Sequence, residues 1–185
     1  MEHRIDPWLI LAVVGIFGAS LTTLHSISRV VGTNLLVRQL VWGGVGLIVL
    51  WLLARVRLDV YQRLAPLLYV ISLLALIVVL VFGVVRGGNR AWLALGPLTI
   101  QPSEFARLGT ILLAAAWLAS RGGRHLKMHE VVVAVGIVAA PVLLILLEPD
   151  LGVGITYLPI LGAVLWLGGL PRLVWTLLIV ITLLG

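Results

Sequence analysis

No cysteine occurs in this chain, so it can form no disulfide and offers no thiolate nucleophile or thiolate metal ligand. Its four histidines are scattered, which leaves little from which to build a transition-metal site. His125 and His129 have a ligand-like spacing, but they lie in a basic loop, which argues against a metal role. Charge is scarce as well: 11% of the 185 residues are charged against 62% hydrophobic, where a soluble domain carries about a quarter charged. That balance excludes a soluble globular domain. A fixed-period repeat, a low-complexity tract and a long linker are also lacking, so one membrane domain over residues 1–185 is expected.

What is there is a series of apolar runs. Pro7 to Leu24 is about the length that spans a ~30 Å hydrocarbon core and shows no small-residue cleavage pattern, so it reads as a retained helix. Runs follow at Leu35 to Ala54, Leu64 to Val85, Ile100 to Ala119, Val131 to Leu147 and Leu151 to Leu167. A further run from Leu173 to Gly185 reaches only roughly 20 Å at about 1.5 Å per residue, short of a span. The expected fold is an all-α polytopic membrane protein: about six complete transmembrane helices plus the start of a seventh, from the N-terminal part of a longer chain. Gly15 and Ala19 have the spacing of close helix packing.

Basic residues in the short loops set the orientation. Arg4, Arg55, Arg57, Arg63, Arg121, Arg124, Lys127 and Arg172 fall on one side, and Arg29, Arg38, Arg86 and Arg90 on the other. The excess places the N-terminus and the loop "SRGGRHLKMHE" in the cytoplasm. The net charge of +6 then reflects topology and anionic headgroups rather than nucleic acid.

Three clusters carry chemistry, all on the expected outer side. In "VRGGNRAWLALGPLTIQ", Gly87 and Gly88 permit unusual backbone angles, Trp92 is an interfacial anchor and Gly96-Pro97 marks a turn. Arg86 and Arg90 suit a phosphate or pyrophosphate, because guanidinium forks bind its oxygens bidentately; ordinary headgroup contact is the alternative. Next, "QPSEFAR" opens a helix with Pro102 in its first turn, Glu104 near the positive dipole end and Arg107 three residues on. Such a pair either fixes helix packing as a salt bridge or lines a polar cavity, and it is expected to face the protein interior. Last, Glu148 and Asp150 flank Pro149 before Gly152 and Gly154, where the helix must break. These two carboxylates could hold a divalent cation, act as acid or base, or, for Asp150, cap the next helix.

Together, "GGNRAWLALGPLTIQPSEFARLG", "EPDLGVG" and "DPWLILAVVGIFGASLTTLHS" resemble the RodA/FtsW/SpoVE (SEDS) family of shape, elongation, division and sporulation proteins, its RodA members most closely. The resemblance covers the whole chain. It implies a ten-helix bacterial cytoplasmic membrane protein that polymerises lipid II into glycan strands on the outer face, beside a class B penicillin-binding protein. A sugar hydroxyl attacks the anomeric carbon of a second lipid-linked disaccharide and expels undecaprenyl pyrophosphate. Arg86, Arg90, Trp92 and Arg107 become expected substrate-binding residues, and Glu104 and Asp150 supporting catalytic ones. Mg or Mn is the candidate cofactor. The family's main aspartate is expected beyond Gly185. Two positions depart from the family, which commonly has Lys where Arg107 stands and Gln where Glu148 stands. Arg stays charged, which leaves position 107 a salt-bridge or phosphate role. A lipid II flippase and a non-catalytic scaffold that activates a partner are the alternatives; the shallow, one-sided charges favour surface chemistry over translocation.

Overall fold

The computed structural model describes residues 7–31, 35–86, 88–96 and 98–170. Arg4, Gly87, Pro97, Arg172 and the run from Leu173 to Gly185, all named above, lie outside the described residues. The chain divides into two compact units, Met1–Arg57 and Leu58–Gly185, and each is described by itself.

The first unit is a helical hairpin of α1 (Pro7–Val31) and α2 (Leu35–Ala54). Both are apolar on all sides, as a helix is when lipid is its solvent, and α2 has no buried residue among those described. Gln39 Nε2 donates to Ser20 Oγ across the pair at 3.3 Å. The close approach is at Gly43, where an added Cβ would collide with the Phe17 ring, while Gly15 faces open space. The packing glycine is therefore on α2, not in the Gly15–Ala19 stretch. Beyond the end of α2, the Arg55 guanidinium stacks 3.5 Å from the centroid of the Trp51 ring.

The second unit contains α3 (Leu58–Phe82), a three-stranded antiparallel sheet of β1 (Val84–Arg86), β2 (Asn89–Leu95) and β3 (Leu98–Ile100), then α4 (Pro102–Ala119), α5 (Met128–Leu147), α6 (Leu151–Ile155) and α7 (Leu158–Leu167). The sheet returns the chain from α3 into an antiparallel α4, and the loop from Ser120 to Lys127 returns it into α5. One end of this unit carries the sheet and the α5–α6 turn, and the other carries the loop from Ser120 to Lys127. Leu76, Ala106, Val138, Ile145 and Tyr157 form one buried cluster and Ala114, Ala134, Val164 and Leu165 a second. Helix α4 presses on α3 at Gly109, where a Cβ would sit 3.0 Å from Ser72 Oγ and 3.2 Å from Tyr69 Cα. The Tyr69 hydroxyl donates to the Ile137 carbonyl at 2.8 Å and ties α3 to α5.

Among the described residues, four helices are long and apolar enough to cross a membrane: Ile10–Ser28, Leu35–Ala54, Leu58–Phe82 and Met128–Leu147. The fourth expected run forms α4, whose 18 residues include Glu104 and Arg107. The sixth is two helices, because a turn at Thr156 and Tyr157 precedes Pro159, which sits in the first turn of α7 and has no N–H to carry α6 onward.

The segment that carries Arg86, Arg90 and Trp92 forms the sheet. β2 pairs with β1 (Val84 opposite Trp92, Arg86 opposite Asn89) and with β3 (Leu93 opposite Ile100, Leu95 opposite Leu98). Gly88 at φ +94° and Gly96 at φ +62° supply the left-handed turn residues that these tight hairpins require.

Candidate functional site

The sheet end of the second unit gathers the polar residues that the sequence singled out from α4 onward. Pro102 starts α4, and one turn of helix then sets Glu104 and Arg107 side by side. Arg107 Nη1 and Nη2 donate to the two Glu104 carboxylate oxygens at 3.2 and 3.3 Å, a fork-to-fork pair. The side chain of Arg107 is 27% exposed and that of Glu104 53%. The pair thus forms as expected, but on a face open among the described residues rather than in a closed interior. A pair this exposed adds at most about 1 kcal/mol to stability, so packing alone gives little reason for it.

Asp150 caps α6: its Oδ1 accepts from the Val153 N–H at 3.1 Å. Its Oδ2 accepts from Gln101 Nε2 at 3.3 Å and so reaches the residue that leads into α4. The capping reading is realised in the geometry, and the second oxygen extends it to a link between two elements.

Glu148 ends α5 and is buried, with no hydrogen-bond partner for either carboxyl oxygen among the described residues. The turn lies just past the α5 span, and burial together with the Asp150 carboxylate pushes Glu148 up to about 7.

Two further residues belong here that the sequence reading passed over. The Tyr157 hydroxyl donates to the Ser103 carbonyl at 3.2 Å, and its phenol lies within electrostatic reach of Arg107, Glu104 and Glu148. Ser103 Oγ and Arg107 Nε are buried without a partner among the described residues. Gly152 and Gly154 drew attention to the break, whereas the apolar neighbours of Tyr157 hid its polar tip.

Arg86 and Arg90 lie on the sheet above. Arg86 Nη1 donates to Thr99 Oγ1 at 2.9 Å, and the stem of Arg90 runs past Gly83, where a Cβ would meet its Cγ at 3.0 Å. Both side chains are exposed and Trp92 is half-buried. The described geometry joins Glu104 to Arg107 and Gln101 to Asp150; it does not join Arg86, Arg90 or Trp92 to either pair.

The loop end is built differently. Glu130, in the first turn of α5, is buried and receives Arg121 Nη1 at 2.9 Å, Arg124 Nη2 at 2.6 Å and the Lys127 N–H at 2.8 Å. Arg121 also lies 4.8 Å from the centroid of the Trp117 ring. His125 Nδ1 stands 2.9 Å from the Gly169 carbonyl oxygen, and the Leu126 N–H donates to the Gly168 oxygen, which fastens the loop to the turn after α7.

Among the described residues no group of three His, Asp or Glu is placed to hold a metal ion. Both Asp150 oxygens are engaged elsewhere. The described residues therefore do not by themselves fit a divalent cation.

Spanning helices with a small sheet and a cluster of carboxylates and guanidiniums at one end define a polytopic membrane protein with a polar site at the membrane edge. The chain belongs to the FtsW/RodA/SpoVE family of cell cycle proteins, whose pattern matches residues 4–185. It is 32% identical over 173 residues to the probable peptidoglycan glycosyltransferase FtsW of Nitrosococcus halophilus, covering 89% of this chain and 45% of that protein. The crystal structure of the Thermus thermophilus rod shape determining protein RodA superposes with a TM-score of 0.79 at 35% identity, over 97% of this chain and 59% of that one. A chain from a structure described as the coordination of polymerization and crosslinking by a peptidoglycan synthase complex gives 0.82 at 35% identity, over 97% and 52%. The chain thus spans about half the length of the relatives it matches.

Proposed function

We propose that this chain is part of a peptidoglycan glycosyltransferase that polymerises lipid II into glycan strands at the outer face of the bacterial cytoplasmic membrane, in cell elongation and shape maintenance, beside a class B penicillin-binding protein. The observation that carries the reading is the arrangement at the start of α4: a forked Glu104–Arg107 pair, with Gln101 of the same start tied to Asp150. The basic excess in the loops puts this end outside and the N-terminus in the cytoplasm.

The proposed roles follow from the chemistry. Arg86 and Arg90 on the sheet offer exposed guanidiniums to the phosphates of undecaprenyl pyrophosphate, and Trp92 anchors the sheet at the interface. Charge builds on that leaving group as its bond to the anomeric carbon breaks, so fixed positive groups stabilise the transition state more than the ground state. Glu104 takes the Arg107 fork and fixes the guanidinium in one orientation, which leaves its remaining N–H groups for the same oxygens. Asp150, fixed by the α6 N-terminus and Gln101, supplies a supporting carboxylate. The base that takes the attacking hydroxyl's proton is assigned to no residue here. Mg or Mn enters the proposal only as a companion of the pyrophosphate, with no ligand drawn from the described residues.

The test uses the full-length protein with its penicillin-binding partner in liposomes. Fluorescent lipid II is supplied, products are resolved on a gel, and a membrane-impermeant quencher reports leaflet exchange. Long strands without exchange, lost in Glu104→Ala and Asp150→Ala, are the expected result. Exchange without strands would overturn the reading in favour of a flippase. Strands made equally well by both variants would remove these residues from the site.

A further inference from the structure

Among the described residues, Glu148 is the acidic group at the sheet end whose carboxyl oxygens have no partner. Its side chain packs beneath the α5–α6 turn with the residue 1% exposed, and neither carboxyl oxygen finds a partner among the described residues. The groups around it are few. Asp150 lies two residues on in the same turn and acts on it electrostatically. Tyr157, from the turn between α6 and α7, senses Glu148 together with Glu104 and Arg107 of α4 and Tyr69 of α3. Arg107, the cation in this set, has its fork on Glu104. A carboxylate taken out of water with no donor is strongly disfavoured, and the group stays protonated instead.

Asp150 needs the opposite. Its two oxygens accept from the Val153 N–H and from Gln101 Nε2, and it interacts most strongly with both donors as an anion at a helix start. A second negative charge in the same turn would repel the Asp150 carboxylate and strain its hold on both donors.

We propose that Glu148 is a positioning residue that works as a neutral carboxylic acid, keeping a second negative charge out of the turn so that Asp150 holds its hydrogen bonds to α6 and to Gln101. The activity arm of its test rests on the glycosyltransferase reading, whereas the protonation arm does not.

The full-length protein in liposomes is followed by infrared spectroscopy while the pH is stepped from about 6 to about 9. A protonated-carboxyl band that vanishes with a midpoint near 7, and that Glu148→Gln lacks, is expected. In the strand-synthesis assay the wild type should fall roughly tenfold by one pH unit above that midpoint, where about nine in ten copies have lost the proton. Glu148→Gln cannot ionise and should keep its activity across the same range. Glu148→Met, neutral and of similar size, repeats the comparison should the glutamine variant fail to fold.

Absence of the band at about pH 6 would overturn the proposal whatever the activity. A band present, but with the same alkaline fall in the wild type and in Glu148→Gln, would overturn the positioning role. Strands from no protein at any pH would sink the glycosyltransferase reading instead, and the infrared result alone would then decide whether Glu148 keeps its proton.

Discussion

The two ends of the second unit each hold a buried carboxylate, and they treat it in opposite ways. At the loop end Glu130 receives two guanidiniums and a backbone N–H. At the sheet end Glu148 has no partner for either oxygen, and Ser103 Oγ is buried without a partner too, among the described residues; each end also holds one buried guanidinium Nε without a partner, Arg107 at the sheet end and Arg121 at the loop end. A satisfied carboxylate fixes a loop and asks for nothing more. Unsatisfied polar groups at a membrane edge carry a standing free-energy penalty that packing does not explain. The contrast fits the proposed division, with a structural role at one end and a working role at the other.

The strongest way to break this contrast is Glu104→Gln, which removes the charge that orients the Arg107 fork. Strand synthesis should fall on the order of 100-fold, as when one transition-state donor is lost. The thermal midpoint should barely move, since a half-exposed pair contributes at most about 1 kcal/mol. A large loss of stability with unchanged synthesis per folded molecule would make the pair a packing device.

Glu130→Ala should do the reverse. Removing this carboxylate strands Arg121 and Arg124, and because both are partly exposed the loss of stability should be measurable but below that of a fully buried pair. Unfolding in detergent measures it, and synthesis per folded molecule should be unchanged. Gly109→Leu should cost roughly 1–3 kcal/mol, because α3 backbone stands where the side chain must go.

A further test sharpens the comparison through pH. Glu148 is raised from 4.5 to about 7, so between those values the folded chain binds more protons than the unfolded one. Stability therefore falls as pH rises through that window and is greatest below it. Glu148→Gln should flatten the thermal midpoint over the same window; an unchanged slope would mean that another group causes it.

Much of this architecture was legible in the sequence because hydrophobic length and helix breaks are local properties. The runs ending at Ala54 and Leu147 end as helices at those residues, and the i,i+3 spacing of Glu104 and Arg107 already placed them on one helix face. The sheet was not legible as such. Gly87-Gly88 and Gly96-Pro97 gave the turns, but β1 and β3 are three residues each and are held by cross-strand pairing that no single short segment displays. Two-residue turns between apolar flanks were the available signal. The role of Glu130 was hidden for a related reason: Arg121 and Arg124 read as loop charges until folding brought both to one carboxylate. Burial of Glu148 and the reach of Tyr157 to Ser103 depend on how α4, α5 and the α6–α7 turn pack, which a linear pattern does not encode.

Asp150→Asn tests the division of labour most directly. Asparagine caps a helix about as well as aspartate, so the variant keeps the α6 start and removes only the charge. With the sheet end as a working site, strand synthesis by the full-length protein with its partner should fall on the order of 100-fold while the unfolding midpoint stays at the wild-type value. Wild-type synthesis from Asp150→Asn would reduce Asp150 to a cap and contradict the assignment of this end as the site of chemistry.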